Sequence, residues 1–141
     1  MMIEFRPLSD ALGAEVIGVD VAADHSDETI AEIRHGWLRY KILLFRGHNL
    51  TVEQQTAFAE RFGKLMIHSK RRERIPGHPA VSVFSNIKVN GEDIGGRPDR
   101  DFGDAWHSDQ SFMKAPAGGS FFYADEVPEK CGDDPWYANL T

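Results

Sequence analysis

The sequence has a single cysteine, Cys131, which excludes an internal disulfide framework and fits a reducing cytoplasm. That thiol reads as a bystander. Long hydrophobic runs are missing too: nothing approaches the ~18 apolar residues of a membrane span. The opening Met1-Met2-Ile3-Glu4-Phe5-Arg6-Pro7 carries no apolar core of a secretory signal. Positive charge is in short supply. The 16 lysines and arginines against 22 acidic residues leave a net charge of −6, which argues against nucleic acid and an anionic membrane as partners. Internal repeats and low-complexity segments are absent. What is present is ordinary for a soluble globular chain: 41% hydrophobic and 27% charged residues in a length of one domain, 1–141.

Taken in order, Ile3–Phe5 suits a short strand and Glu15–Val21 a second, with Ile17, Val19 and Val21 on one face. Glu28–Arg39 reads as a helix whose apolar stripe is Ile30, Ile33, Trp37 and Leu38, slightly weakened by Gly36. Ile42-Leu43-Leu44-Phe45 is a short continuous apolar run, expected as a strand buried on both faces. Thr51-Val52-Glu53-Gln54 offers a capping box. The helix it starts places Val52, Ala59 and Phe62 near one face, with Phe58 at its edge and Gly63 as C-cap.

Further on, Lys70, Arg71, Arg72 and Arg74 form a basic cluster in an acidic chain, either a solvated turn or an anion-attracting rim over a site. Ala80–Ile87 alternates as a strand does. Asn90–Ala105 has no periodicity and suits a lid. Gly118–Val127 is strand-like again, and a turn over Pro128–Pro135 precedes the apolar Trp136-Tyr137.

The chemistry concentrates in Asp104-Ala105-Trp106-His107-Ser108-Asp109-Gln110-Ser111-Phe112. On a strand, a histidine and an aspartate two apart share a face. An imidazole nitrogen and a carboxylate oxygen side by side supply two of the three donors of a two-histidine, one-carboxylate Fe(II) site, which keeps positions open for cosubstrate and oxygen. The same pair also suits a hydrogen-bonded structural contact. A second copy, His25-Ser26-Asp27, sits in a polar run before the first helix, where Ser26 or Asp27 is better read as an N-cap. A buried carboxylate needs a partner or a metal, and the apolar surroundings of His107 and Asp109 favour that pair as the ligands.

Four stretches, in this order, resemble the iron(II)/α-ketoglutarate-dependent dioxygenases of the TauD/TfdA family. They are Leu12-Gly13-Ala14-Glu15-Val16-Ile17-Gly18-Val19-Asp20, then Leu43-Leu44-Phe45-Arg46 with Leu50-Thr51 and the helix running to Gly63-Lys64-Leu65. The third is Trp106-His107-Ser108-Asp109-Gln110-Ser111-Phe112 with Pro116, and the fourth Glu126-Val127-Pro128 leading to Gly132-Asp133 and Trp136. The resemblance implies an α+β fold built on a double-stranded β-helix (jelly-roll, clavaminate synthase-like) with N-terminal helices packed outside it. It implies Fe(II) held by His107 and Asp109, α-ketoglutarate and O2 as cosubstrates, and hydroxylation of a small substrate of the sulfonate, alkyl sulfate or aryloxyacid class. His68 falls where taurine-type enzymes keep a substrate-contacting histidine, and equally suits an ordinary loop residue.

The departures carry expectations of their own. The family's distal histidine and its α-ketoglutarate-gripping arginine lie further downstream than this chain reaches, so the β-helix is expected to be incomplete and the chain inactive by itself. None of His25, His35, His48, His68 or His78 stands in the matching context. Asp134 stands where many relatives have a threonine beside the cosubstrate, which would place a second negative charge near a dianion. Gly103 replaces an asparagine of taurine enzymes. Three readings follow: the first part of a dioxygenase, a non-catalytic module pairing with an intact homologue, or a site completed in a homo-oligomer or by a separate C-terminal half.

Overall fold

The computed structural model describes residues 2–67, 74–85, 88–93, 106–126 and 136–140. By their contacts they divide into two compact units, Met1–Gly63 with Tyr123–Thr141, and Lys64–Phe122.

The first unit is a small mixed sheet covered by two helices. Strands β1 (Glu4–Pro7) and β2 (Ala14–Ile17) pair antiparallel, and β3 (Leu43–Leu44) joins β2 in parallel, giving the order β1-β2-β3. The parallel step needs a crossover, and helix α1 (Asp27–Tyr40) provides it. Among the described residues β3 is an edge strand, and its two leucines are half-buried rather than enclosed on both faces as their apolar run suggested.

The expected face of the second strand is corrected as well. Ala14 and Val16 point into the core, Ile17 does not, and the strand ends there. Gly18 follows at φ +86, a left-handed turn that shifts the alternation by one residue. Val19 and Val21 are then buried in their turn.

Helix α1 begins at Ser26, whose hydroxyl accepts the Thr29 N–H, with Asp27 and Glu28 in the positive first turn. Its buried stripe is Ile30, Ile33 and Gly36, with Trp37 half-buried; Leu38, expected inside, is 63% exposed. Gly36 is there for space. A Cβ at that position would overlap the Phe5 ring, which stacks on Tyr40 at 5.9 Å. Helix α2 (Val52–Glu60) has the expected capping box: the Gln54 N–H donates to Thr51 Oγ1, and the Thr51 N–H donates to Gln54 Oε1. It ends at Arg61, two residues before Gly63.

The core between sheet and helices is Val16, Val19, Val21, Ile30, Ile33 and Phe58, flanked by Ile3, Phe5, Leu43, Phe45, Leu50 and Phe62. Phe58, expected at a helix edge, is central: its ring meets His25, Phe45 and Phe62. Arg61 ties the end of α2 to the start of α1, donating to the His25 carbonyl at 2.6 Å and to Asp27 at 2.7 Å. Arg34 reaches the Phe62 carbonyl at 2.6 Å and lies over its ring. Tyr123 Oη accepts the Leu50 N–H at 3.1 Å, just ahead of the Thr51 cap. Asn139 donates to the Ala11 carbonyl.

In the second unit, β4 (Arg74–Ile75) and β5 (His78–Ser82) form a hairpin around Gly77 at φ +84. β6 (Lys88–Val89) and β7 (Glu92–Asp93) form another around Asn90-Gly91, both with positive φ. The start of the expected lid is therefore a two-residue hairpin turn; its remainder over 94–105, the turn at 128–135 and Cys131 lie outside the described residues. The expected strand over Gly118–Val127 is not formed in its described part, 118–126, where Phe121 and Phe122 are exposed. The described residues of this segment belong to none of the three small sheets. The described residues are thus mixed α and β, with two helices and three small sheets, and do not by themselves outline a double-stranded β-helix.

Candidate metal centre

His107 and Asp109 do come together, but not by strand alternation. Residues 106–108 have no regular structure, and a turn begins at Asp109, with Gln110 at φ +56. The turn brings His107 Nε2 to 3.6 Å from Asp109 Oδ1. Their side chains are 60% and 65% exposed, so the expectation of a buried carboxylate is corrected. At that separation the two are outside hydrogen-bonding distance, and an exposed imidazole–carboxylate pair adds little stability.

The spacing suits a shared ion. Donor-to-metal distances of roughly 2.0–2.2 Å allow one ion to touch two donors up to about 4.4 Å apart. An imidazole nitrogen and a carboxylate oxygen are also the donor types that Fe(II) takes. The residues present therefore fit two positions of such a centre. Among the described residues, no group of three or more His, Cys, Asp or Glu side chains converges to hold an ion.

The rest of the carboxylate is engaged. Ser120 Oγ donates to Asp109 Oδ2 at 3.1 Å, joining residues eleven apart in sequence. Between them the Met113 N–H donates to the Gln110 carbonyl at 2.9 Å, and the Ala117 N–H to Gln110 Oε1 at 3.3 Å. Neither Ser120 nor Gln110 was given a role from the sequence, because the segment from Gly118 read as a strand and the turn at Asp109 has no signal of its own. His68, Lys70, Arg71, Arg72, Gly103 and Asp134 lie outside the described residues. Arg74 is half-buried in β4.

Two other features of the first unit bear on the site by exclusion. The second His-x-Asp copy is structural: Ser26 caps α1, Asp27 pairs with Arg61, and a His25 ring nitrogen bonds the Asp20 carbonyl at 2.8 Å. A cleft of about 530 Å³ lies between residues 21–25 and α2, but its Arg61 is held by Asp24, Asp27 and the His25 carbonyl. It contains none of the residues expected to do chemistry. No helix among the described residues is long and apolar enough to cross a membrane.

Comparison with known proteins bears on the same span. The family described as "Taurine catabolism dioxygenase TauD, TfdA family" matches residues 4–140. The (S)-phenoxypropionate/α-ketoglutarate-dioxygenase of Delftia acidovorans is 33% identical over 135 residues, covering 89% of this chain and 43% of the relative. An alkylsulfatase of Acinetobacter baylyi is 29% identical over 135 residues, covering 95% of this chain and 39% of the relative. Among solved structures, a taurine dioxygenase from Burkholderia xenovorans aligns with TM-score 0.55 and 35% identity, over 62% of this chain and 31% of that one. The chain thus spans less than half the length of the curated relatives it matches. None of these relatives supports the reading as a non-catalytic interaction module. Enzymes of the family are oxidoreductases that use Fe(II), α-ketoglutarate and O2. With the family pattern running through both units, from β1 to the segment after Trp136, this chain belongs to the TauD/TfdA family of dioxygenases.

Proposed function

We propose that the 141 residues are part of a single catalytic domain of an Fe(II)- and α-ketoglutarate-dependent dioxygenase. Its substrate is a small organic anion of the sulfonate, alkyl sulfate or aryloxyacid class. The observation that carries the reading is the 3.6 Å approach of His107 Nε2 to Asp109 Oδ1 inside a span matched to the family. His107 offers a neutral imidazole nitrogen, and Asp109 offers one carboxylate oxygen with its negative charge. Held there, Fe(II) supplies the oxygen chemistry that couples decarboxylation of α-ketoglutarate to hydroxylation of the substrate.

The exposure of both side chains leaves room beside them for cosubstrate and oxygen, at the cost of a weakly held ion. A third donor comes from outside the described residues. We assign His68 to substrate contact, and the cationic run Lys70, Arg71, Arg72 and Arg74 to attraction of an anion. The names of the phenoxypropionate, alkyl sulfate and taurine enzymes support an anionic substrate.

Anaerobic titration with Fe(II), with and without α-ketoglutarate, tests the reading through the weak visible charge-transfer band of the chelated cosubstrate. The band is expected to need both additions and to vanish in His107→Ala. A band that persists undiminished in His107→Ala would overturn it.

A further inference from the structure

We infer that Ser120 is a positioning residue for this centre: its hydroxyl fixes the Asp109 carboxylate so that Oδ1, the oxygen nearest His107, is presented to the ion. The inference rests on the dioxygenase reading and adds to it a residue outside the His-x-Asp motif.

An exposed aspartate has two equivalent oxygens and a freely turning side chain, so ordering it on metal binding costs rotamer entropy. Here the two oxygens are made different. Oδ2 accepts the Ser120 hydroxyl at 3.1 Å, and Oδ1 faces His107 Nε2 at 3.6 Å. The hydroxyl is delivered by a closed loop rather than by chance proximity. Gln110 turns the chain with φ +56, its carbonyl accepts the Met113 N–H, and its side-chain oxygen accepts the Ala117 N–H. Those two bonds shorten the path from Asp109 to Ser120. Carboxylates that ligate metals are commonly held by such outer hydrogen bonds, whose loss weakens binding by about 10–100-fold.

Two readouts test this without turnover. In metal-free protein, the Hα–Hβ couplings of Asp109 report its side-chain rotamer. They are expected to show one rotamer in the parent chain, averaging in Ser120→Ala, and recovery in Ser120→Thr, which keeps the hydroxyl. Co(II) titration, followed by its visible absorption, is expected to give about tenfold weaker binding in Ser120→Ala, recovery in Ser120→Thr and loss in His107→Ala.

Couplings that do not change in Ser120→Ala overturn the inference. So does Co(II) affinity that is unchanged in Ser120→Ala yet lost in His107→Ala, and that result leaves the centre itself standing. If the parent chain takes up no Co(II), the couplings alone decide, and averaging that fails to appear in Ser120→Ala overturns the positioning role. The couplings then still report whether the hydroxyl holds the carboxylate.

Discussion

The two units of this chain are built to different standards. In Met1–Gly63 with Tyr123–Thr141, six buried side chains from β2, α1, α2 and the segment between β2 and α1 share one core, and both helices are capped by side chains. Every buried apolar residue among those described lies between Ala14 and Ala59. In Lys64–Phe122 the described strands are two to five residues long, while Trp106, Phe112 and Phe122 are more than two-thirds exposed. The candidate donors sit in this second unit. The core and the proposed donors thus lie on different residues, and substitutions in one should leave the measure of the other largely unmoved.

The largest break in the comparison comes from the core. Phe58→Ala removes the ring that meets His25, Phe45 and Phe62, and is expected to lower unfolding free energy by about 3–5 kcal/mol in urea denaturation. His107→Ala, at an exposed position, should stay within about 0.5 kcal/mol of the parent in the same experiment while losing the ion. A comparable loss in both variants would show that the units are not energetically separate.

Next in size is Gly36→Ala, where two effects of opposite sign compete. Alanine in a helix interior is favoured over glycine by about 1 kcal/mol. Against that, the new methyl overlaps the Phe5 ring, and overpacking typically costs about 1–3 kcal/mol. The steric term wins, so the variant should be less stable. The sign should reverse in a Phe5→Ala background, where Gly36→Ala no longer meets a ring. Stabilisation by Gly36→Ala in the parent chain would mean that Phe5 moves aside freely.

How much of this was legible follows from range. The Ser26 cap and the Thr51–Gln54 box join residues three apart; the box was readable from the sequence, and the cap was narrowed to Ser26 or Asp27. The face of β2 was not, because Gly18 shifts the alternation and only the fold reveals that it takes a positive φ. Phe58 was placed at a helix edge since its partners, His25 and Phe45, come from other elements. Asn90-Gly91 was a readable hairpin signal that the surrounding glycines and aspartates concealed. At the candidate site, the proximity of His107 and Asp109 was readable, and the reason they meet was not. A turn at Asp109, not a strand, brings them together.

Thr51→Ala comes third, with an expected loss of about 1 kcal/mol from the cap. It should lower the thermal midpoint of the first unit without changing Co(II) uptake. A change in uptake equal to that of Ser120→Ala would contradict the separation.

The smallest effect is a dependence on pH that belongs to the first unit. Glu28, in the first turn of α1, has its carboxyl held below the ordinary range, first by its own backbone N–H and then by the Ser26 hydroxyl. A carboxyl that is more acidic in the folded state stabilises the fold while ionised. Its contribution is therefore complete above the ordinary carboxylate range and lost as pH falls through the lowered folded value. Glu4 behaves alike, with the Arg6 guanidinium as the cause. Both carboxylates are on the exposed surface, so each contributes a shallow slope. Urea midpoints measured from neutral pH to below the carboxylate range should fall less steeply in Glu28→Gln than in the parent, and less steeply again when Arg6→Ala is added. Co(II) uptake at neutral pH should be unaffected by either change. Parallel slopes in all three proteins would place the acid sensitivity of the fold on other carboxylates.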